Sequence, residues 1–262
     1  MVSNSGHADP RPRLFCVATL LLCVFPIAAA TPAGMVEIPG GEFQRGRTFA
    51  WPDYDVKWYP NPAKDDLPVR AITVNTIYMD ESEVTNSRFA AFVKATGHRT
   101  PYNWRAGQLP EGKEAYPVTD VSWDDATAFC AWEGKRLPTE AEWEHAARSG
   151  SPDEPKISAK EAVFNQVDGP RSVCSKTKSQ VGLCDMIGNV WEWCSDWYGQ
   201  HYYQDAPDHN PKGPETGQYR VLRGGSWFDV PPLFLTSSYR SWARQAERSP
   251  TIGFRCVSDA RR

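Results

Sequence analysis

The strongest constraint on this chain lies beyond residue 150, where the helical period stops. From 186 to 257, short pieces rich in Trp, Tyr and Arg alternate with Gly, Pro and Asn turns. They begin with MIGNVWEWCSDWYG, in which three tryptophans, a glutamate and an asparagine crowd one cysteine. Such a pattern predicts a core of aromatic loops and short strands, with Trp191, Trp193 and Trp197 supplying packing area. At 262 residues and 40% hydrophobic content, the chain can fill one sizeable core without a second domain.

The N-terminus reads as a secretory signal. Arg11 and Arg13 precede an apolar run from Leu14 to Ile27, and Ala28, Ala29 and Ala30 follow it. Cleavage is expected after Ala30, leaving 31–262 as the domain. The run is too short and too proline-interrupted for a permanent span, and no second candidate follows. Cys23 follows Leu22, where a lipoprotein signal wants a small residue, so the reading is a soluble exported protein, periplasmic or secreted. The net charge of −3 offers no phosphate-binding surface, so nucleic acid is not an expected partner. Cys16 and Cys23 leave with the signal. Five cysteines remain (130, 174, 184, 194 and 256), an odd count that leaves one thiol unpaired within the chain.

MVEIPGGEFQRGRT (35–48) predicts a strand, a Pro-Gly-Gly turn and a second strand. Residues 49–70 read as a long surface loop, and 72–79 as a strand. Three helices carry readable caps: Thr85 before Phe89, Phe92 and Val93, ending at Gly97; Ser122 before Asp124 and Asp125, ending at Gly134; and Thr139 with Glu142 at capping-box spacing, ending at Gly150. The middle helix puts Cys130 on its buried face.

IPGGEFQRG, DESEVTN, PVTDVSWDDATAFCAWEGKRLPTEAEWEHAARSG, GLCDMIGNVWEWCSDWY, NPKGPETGQYRVLRGGSW and IGFRC occur in this order. Together they resemble the formylglycine-generating enzyme family, the sulfatase-modifying factors, from about residue 35 onward. The resemblance implies an α+β fold: a single-domain variant of the C-type lectin fold with short strands, a few helices and much irregular chain. It implies a monomer acting on a peptide, protein or peptide-derived substrate. The family's named enzyme oxidises a cysteine in a Cys-x-Pro-x-Arg segment of a sulfatase to formylglycine, with oxygen and a copper(I) ion between two thiolates, ligands soft enough to select that ion. It also implies a disulfide between Cys130 and Cys256.

The departure falls in SWFDVPPLFLTSSYRSWARQAERSPTIGFRC, which has no cysteine before Cys256. Aligning Tyr239-Arg240 puts Thr236 at the second copper position, and the first falls near Asp229 to Pro231. Copper is therefore not expected, and any other redox metal has no ligands to name. A second family disulfide is lost as well, with Ala147 and Ser241 at its ends. The cleft candidates around the former copper position are Ser226, Trp227, Asp229, Thr236, Tyr239, Arg240 and Arg244. Arg240 and Arg244 read equally as salt-bridge partners or as binding residues.

By resemblance, Gly188, Asn189, Val190 and Glu192 supply ligands to a structural calcium, since a tight turn of oxygen donors suits a hard cation. The alternative has Glu192 capping an amide or pairing with a nearby arginine. Asp196 could support the same cage, and Asn165 and Asp168 are weak substitutes for the family's second calcium site. Cys194 reads as buried, open to pairing with Cys184 or Cys174, while Cys174 and Cys184 could instead bridge a surface loop. His98, His145, His201 and His209 lack metal-ligand spacing and read as surface or packing residues.

Three functions follow. The first is an exported oxidoreductase-type maturation factor without the two-cysteine copper site, akin to the family's periplasmic branch in siderophore (pyoverdine) chromophore maturation. The second is a true formylglycine generator acting on sulfatase cysteines. The third is a non-catalytic, calcium-stabilised binding module.

Overall fold

The computed structural model describes residues 1–2, 31–49, 64–148, 158, 160–230 and 234–260. Most of the expected signal segment, most of the 49–70 loop, Gly150 and Pro231 lie outside the described residues. Thr31–Arg262 forms one compact unit and Met1–Ala30 another.

Short strands arise where the sequence alternates between turn residues, as the aromatic pieces suggested. β1 (Met35–Ile38) and β2 (Gly41–Arg45) are the two strands flanking the Pro-Gly-Gly turn. They do not pair with each other. β1 runs antiparallel to β4 (Ile77–Asp80), with Met35 opposite Asp80, and β2 runs antiparallel to β3 (Arg70–Val74), with Gly41 opposite Val74. The turn thus sends consecutive strands into two sheets. β4 also pairs with β9 (Val257–Asp259), giving a three-stranded sheet in the order β1-β4-β9.

α1 (Asn86–Thr96), α2 (Trp123–Trp132) and α3 (Glu140–Arg148) begin at the predicted caps. Thr85 accepts from the Arg88 amide, Gly97 closes α1 in the left-handed region, and Ser122 with Asp125 forms a capping box on α2. On α3, Glu142 N donates to Thr139 Oγ1 at 3.1 Å while Thr139 N donates to Glu142 Oε2 at 2.8 Å.

The aromatic stretch becomes β5 (Trp191–Trp197), followed by a single turn, α4 (Tyr202–Asp205). β5 lies in a four-stranded sheet, ordered β7-β6-β5-β8, with β6 (Arg220–Arg223), β7 (Ser241–Ala243) and β8 (Ile252–Gly253). It is antiparallel to β6 and parallel to β8. β5 is covered on both faces: Trp191 and Trp193 are buried on one, and Glu192 and Cys194 on the other.

The core has two parts. One is apolar: Phe89, Phe92, Phe129 and Phe254 pack ring on ring, with centroids 5.3–5.8 Å apart for the nearest pairs. The Cys130–Cys256 disulfide closes this part and ties α2 to the chain just before β9. The other part surrounds α3, where Trp143, Ala146 and Ala147 join a second apolar cluster and an adjoining face of the helix is ionic. Arg240 grips Glu140 through Nε–Oε1 at 2.6 Å and Nη2–Oε2 at 3.0 Å, while Arg223 reaches Glu140 at 3.2 Å and Glu144 at 2.8 Å. Arg148 closes on Glu144 at 2.9 Å, and all five side chains are buried. The Glu140, Glu144 and Arg148 positions lie one turn apart, on a single face of α3.

Candidate active-site cleft and cation pocket

The cleft candidates divide once they are placed in the fold. After β6 the chain turns at Gly225 (φ 79°), where an added Cβ would lie 2.6 Å from Leu235 Cδ2 and 2.9 Å from Phe234 O. Ser226 then binds Asp229 through both its amide (2.8 Å) and its hydroxyl (2.7 Å). Burial pushes the Asp229 carboxyl above its ordinary range, and bonds from Ser226 and Trp191 oppose that shift. The segment is docked on two loops. Asn165 N donates to Asp229 O at 2.9 Å, Gln166 N to Trp227 O at 2.7 Å, and Trp227 N to Asn189 O at 2.8 Å.

Tyr239 packs edge-on against Phe234 and leans on Trp191 of β5. Thr236 is buried, and its hydroxyl accepts from the Tyr239 amide at 3.1 Å, closing a turn. Ser226, Asp229 and Tyr239 thus meet around Trp191, with Trp227 alongside and Thr236 behind. Exposed Phe228 and Val230 form the apolar rim.

Arg240 and Arg244 do not belong to this group. Arg240 is fully buried in the ion pair with Glu140, and its Nη1 donates to Asp65 O at 2.8 Å. Its guanidinium lies over the Tyr198 and Tyr203 rings at 4.9 and 4.4 Å. The salt-bridge alternative holds for it, because a cation at that depth needs carboxylate and carbonyl partners on every side. Arg244 is exposed and lines a separate groove of about 540 Å³ with Gln218, Tyr219, Gln245 and Ala246.

The expected calcium turn also needs correction. Gly188 (φ 82°) and Asn189 (φ 59°) form the tight turn, and a Cβ on Gly188 would sit 2.4 Å from Val163 O. The Glu192 carboxylate, however, is taken by Arg255, whose Nε and Nη2 lie 2.7–3.0 Å away, and by Trp143 Nε1 at 2.8 Å. Saturated by these donors, it does not fit the role of principal ligand.

Two residues that sequence reasoning passed over lie beside the turn. Glu83 is fully buried and Asp185 is 5% exposed, yet no N–H donor reaches Glu83 Oε2 or Asp185 Oδ1, and the two carboxyls lie within hydrogen-bond reach of each other. Glu83 Oε1 accepts from Asn189 Nδ2 at 3.1 Å, and Asp185 Oδ2 from Cys174 N at 2.6 Å. Burial, then the neighbouring Asp185 and Glu192 charges, push the Glu83 carboxyl well up, and burial also raises Asp185. Three carboxylates here face one guanidinium, that of Arg255. Two open carboxyl oxygens in such a pocket fit a hard, oxygen-coordinated cation, whose charge would favour their ionised forms, with Glu83 and Asp185 rather than Glu192 as its carboxylates. The available signal was an acid three residues before the Gly-Asn turn.

Asp196 is not part of this pocket. It accepts from Glu140 N at 2.9 Å, at the start of α3, and burial followed by the Glu140 charge pushes it up to about 7. Asp168 is an exposed partner of Arg171. Cys174 pairs with Cys184, while Cys194 is a free, buried thiol pushed well up by burial and so unsuited to act as a nucleophile. His98 bonds Asp125 and His145 meets Pro39 O, both packing roles.

Helices with Thr85, Ser122 and Thr139 caps, the disulfide between α2 and the end of the chain, and the Gly-Gly-Ser turn against β5 define a domain of the sulfatase-modifying-factor type. Residues 24–260 match the family described as the sulfatase-modifying factor enzyme 1-like domain, and the chain belongs to that family. It is similar to the formylglycine-generating enzyme of Streptomyces coelicolor, with 36% identity across 90% of this chain and 95% of that protein. It is 30% identical to the inactive C-alpha-formylglycine-generating enzyme 2 of Bos taurus, across 87% of this chain and 89% of that one. Among solved structures it superposes on PvdO from Pseudomonas aeruginosa with a TM-score of 0.71 and 29% identity, covering 86% and 94% of the two chains.

Proposed function

We propose that this protein is an exported maturation factor of the formylglycine-generating enzyme family, of oxidoreductase type, acting on a peptide or peptide-derived metabolite without the two-thiolate copper site. It falls with the pyoverdine-maturation-like branch. The observation that carries this reading is the chemistry at the former copper positions. Thr236 spends its hydroxyl on a turn, and Asp229 holds Ser226. Among the described residues the one free cysteine, Cys194, is buried. Two soft ligands therefore do not meet at the cleft, and the Cu(I)-thiolate route has no anchor. The likeness to PvdO from Pseudomonas aeruginosa supports a maturation-type role.

In this reading the chain's residues bind and orient. The aromatic floor of Trp191 and Tyr239 stacks a planar or peptide group. Asp229, whose carboxyl is raised by burial, lies against that floor between Ser226 and Trp191 as the group able to hold a proton there. Glu83 and Asp185 would hold a calcium ion beside the Gly188–Asn189 turn, and its charge would stiffen the approach to β5.

The experiment incubates the purified mature protein with a Cys-x-Pro-x-Arg peptide and Cu(I) in air. The expected result is an unchanged peptide mass and no stoichiometric copper. A lost cysteine mass would restore the formylglycine generator. Oxygen uptake with siderophore-precursor peptides separates the maturation factor from the binding module, a reading favoured by the likeness to the inactive bovine paralogue.

A further inference from the structure

We propose that the Cys174–Cys184 disulfide is a positioning device for the cation pocket, holding Asp185 against Glu83 so that their two open oxygens converge on one divalent cation. The proposal rests on the cation reading of that pocket. Three observations carry it.

Asp185 directly follows Cys184, and its Oδ2 accepts from the amide of Cys174, the other end of the bridge, at 2.6 Å. With Oδ2 fixed across the bridge, Oδ1 is the oxygen that no N–H donor reaches. Cys174 and Asp185 also both have left-handed backbones (φ 57° and 53°), which L side chains rarely adopt unaided. The cross-link holds together two residues that the local chain would not place in this way. Finally, the bridge reaches the counter-ion as well. Cys184 O accepts from Arg255 Nη2 at 2.8 Å, the guanidinium that also grips Glu192, and Cys184 N donates to Glu81 O at 2.8 Å. Between 164 and 190 the described chain forms no helix or strand, so these bonds and the bridge are what seat Asp185.

The competing account of the two open oxygens is a proton shared between Glu83 and Asp185. The test is calcium titration by calorimetry on chelator-stripped mature protein, comparing wild type, Asp185→Asn, the double variant Cys174→Ser/Cys184→Ser, and all three changes together. Thermal melts of each form are recorded with and without calcium. Wild type is expected to bind one calcium, and the double-serine variant to bind it about tenfold or more weakly, in the range for losing a group that orients a metal ligand. Asp185→Asn should weaken binding in wild type but add little once the bridge is gone, since coupled residues are not additive. The bridge variant should lose more melting temperature with calcium than without it; a plain staple would lower both equally, and that result overturns the proposal. Equal calcium affinity in the double-serine variant overturns the bridge's role and leaves the cation reading standing. No calcium binding by wild type overturns both, in favour of the shared proton. Should the double-serine variant not fold, mild reduction of wild type gives the same comparison, because Cys174 is half-exposed while Cys130 and Cys256 are fully buried.

Discussion

Around α2 the interior is hydrocarbon: four phenylalanines, a disulfide and a helix whose charges sit at its cap. Around α3 an apolar cluster at Trp143, Ala146 and Ala147 adjoins an ionic one, with Glu140 and Glu144 clamped by Arg223, Arg240 and Arg148, all buried. Both parts exclude water, but they hold their shape by different means. A hydrophobic cluster tolerates repacking at modest cost. A buried ion network has a few allowed geometries, because every donor and acceptor must stay matched. Arg223 belongs to β6, so the ionic part anchors the strand that leads into the Ser226 turn, while Trp191 and Tyr239 of the cleft rest on the hydrocarbon part.

The largest expected effect tests the hydrocarbon part. Replacing Cys130 and Cys256 by serine opens a loop with a sequence separation of 126. Denaturant unfolding should show a loss of about 4–5 kcal/mol, if chain entropy dominates.

Glu140→Ala, which strands Arg240 and Arg223, should cost about 3–5 kcal/mol by the same measurement. Glu140→Leu with Arg240→Met should recover much of that loss. If the double change is as damaging as the single one, geometry rather than stranded charge explains the network.

Acidity probes the ionic part from within. Although burial raises it, Glu140 is held below its usual range by Arg240 and Arg223. Its stabilisation is therefore present above the ordinary glutamate range and is lost as pH falls. Asp196, pushed up to about 7, behaves oppositely: the folded state binds the proton more tightly, so stability falls as pH rises from about 4 to about 7. Asp196→Asn should melt higher than wild type at pH 8 and show no gain at pH 4. A gain that does not depend on pH would sink this assignment.

The smallest effect is a control. Ser122→Ala on α2 and Thr139→Ala on α3 remove like caps from the two parts, and each should lower stability by about 1 kcal/mol in urea melts. A much larger loss at Thr139 would mean that the ionic part depends on the start of α3 more tightly than its packing indicates.

The helices and the hydrocarbon part were legible because caps and apolar spacing are local signals: Thr85, Ser122 and Thr139 announce themselves within four residues. The split of β1 and β2 into two sheets was not, since a Pro-Gly-Gly turn reads the same whether its strands pair or diverge. The ionic core was hidden for a different reason. Glu140, Glu144 and Arg148 have the spacing of a solvated helix face, and only long-range contacts with Arg223 and Arg240 turn that face inward. The same blindness put Arg240 in the cleft, hid the Arg255 and Trp143 partners of Glu192, and passed over Glu83 and Asp185, which come together from positions about a hundred residues apart. Ser226, Asp229 and Tyr239 were found because the resemblance marked their segment, and the fold does gather them around Trp191.

The β1-β4-β9 sheet carries one more implication. The first and last strands of the domain are both neighbours of β4, with Met35 opposite Asp80 and Asp259 opposite Ile77. Two strand spacings and a few residues of rise put the domain's entry and exit within roughly 15 Å of each other. A unit with adjoining ends can be spliced into a loop of another protein, or reopened elsewhere with its natural ends joined by a short linker, without disturbing either interior.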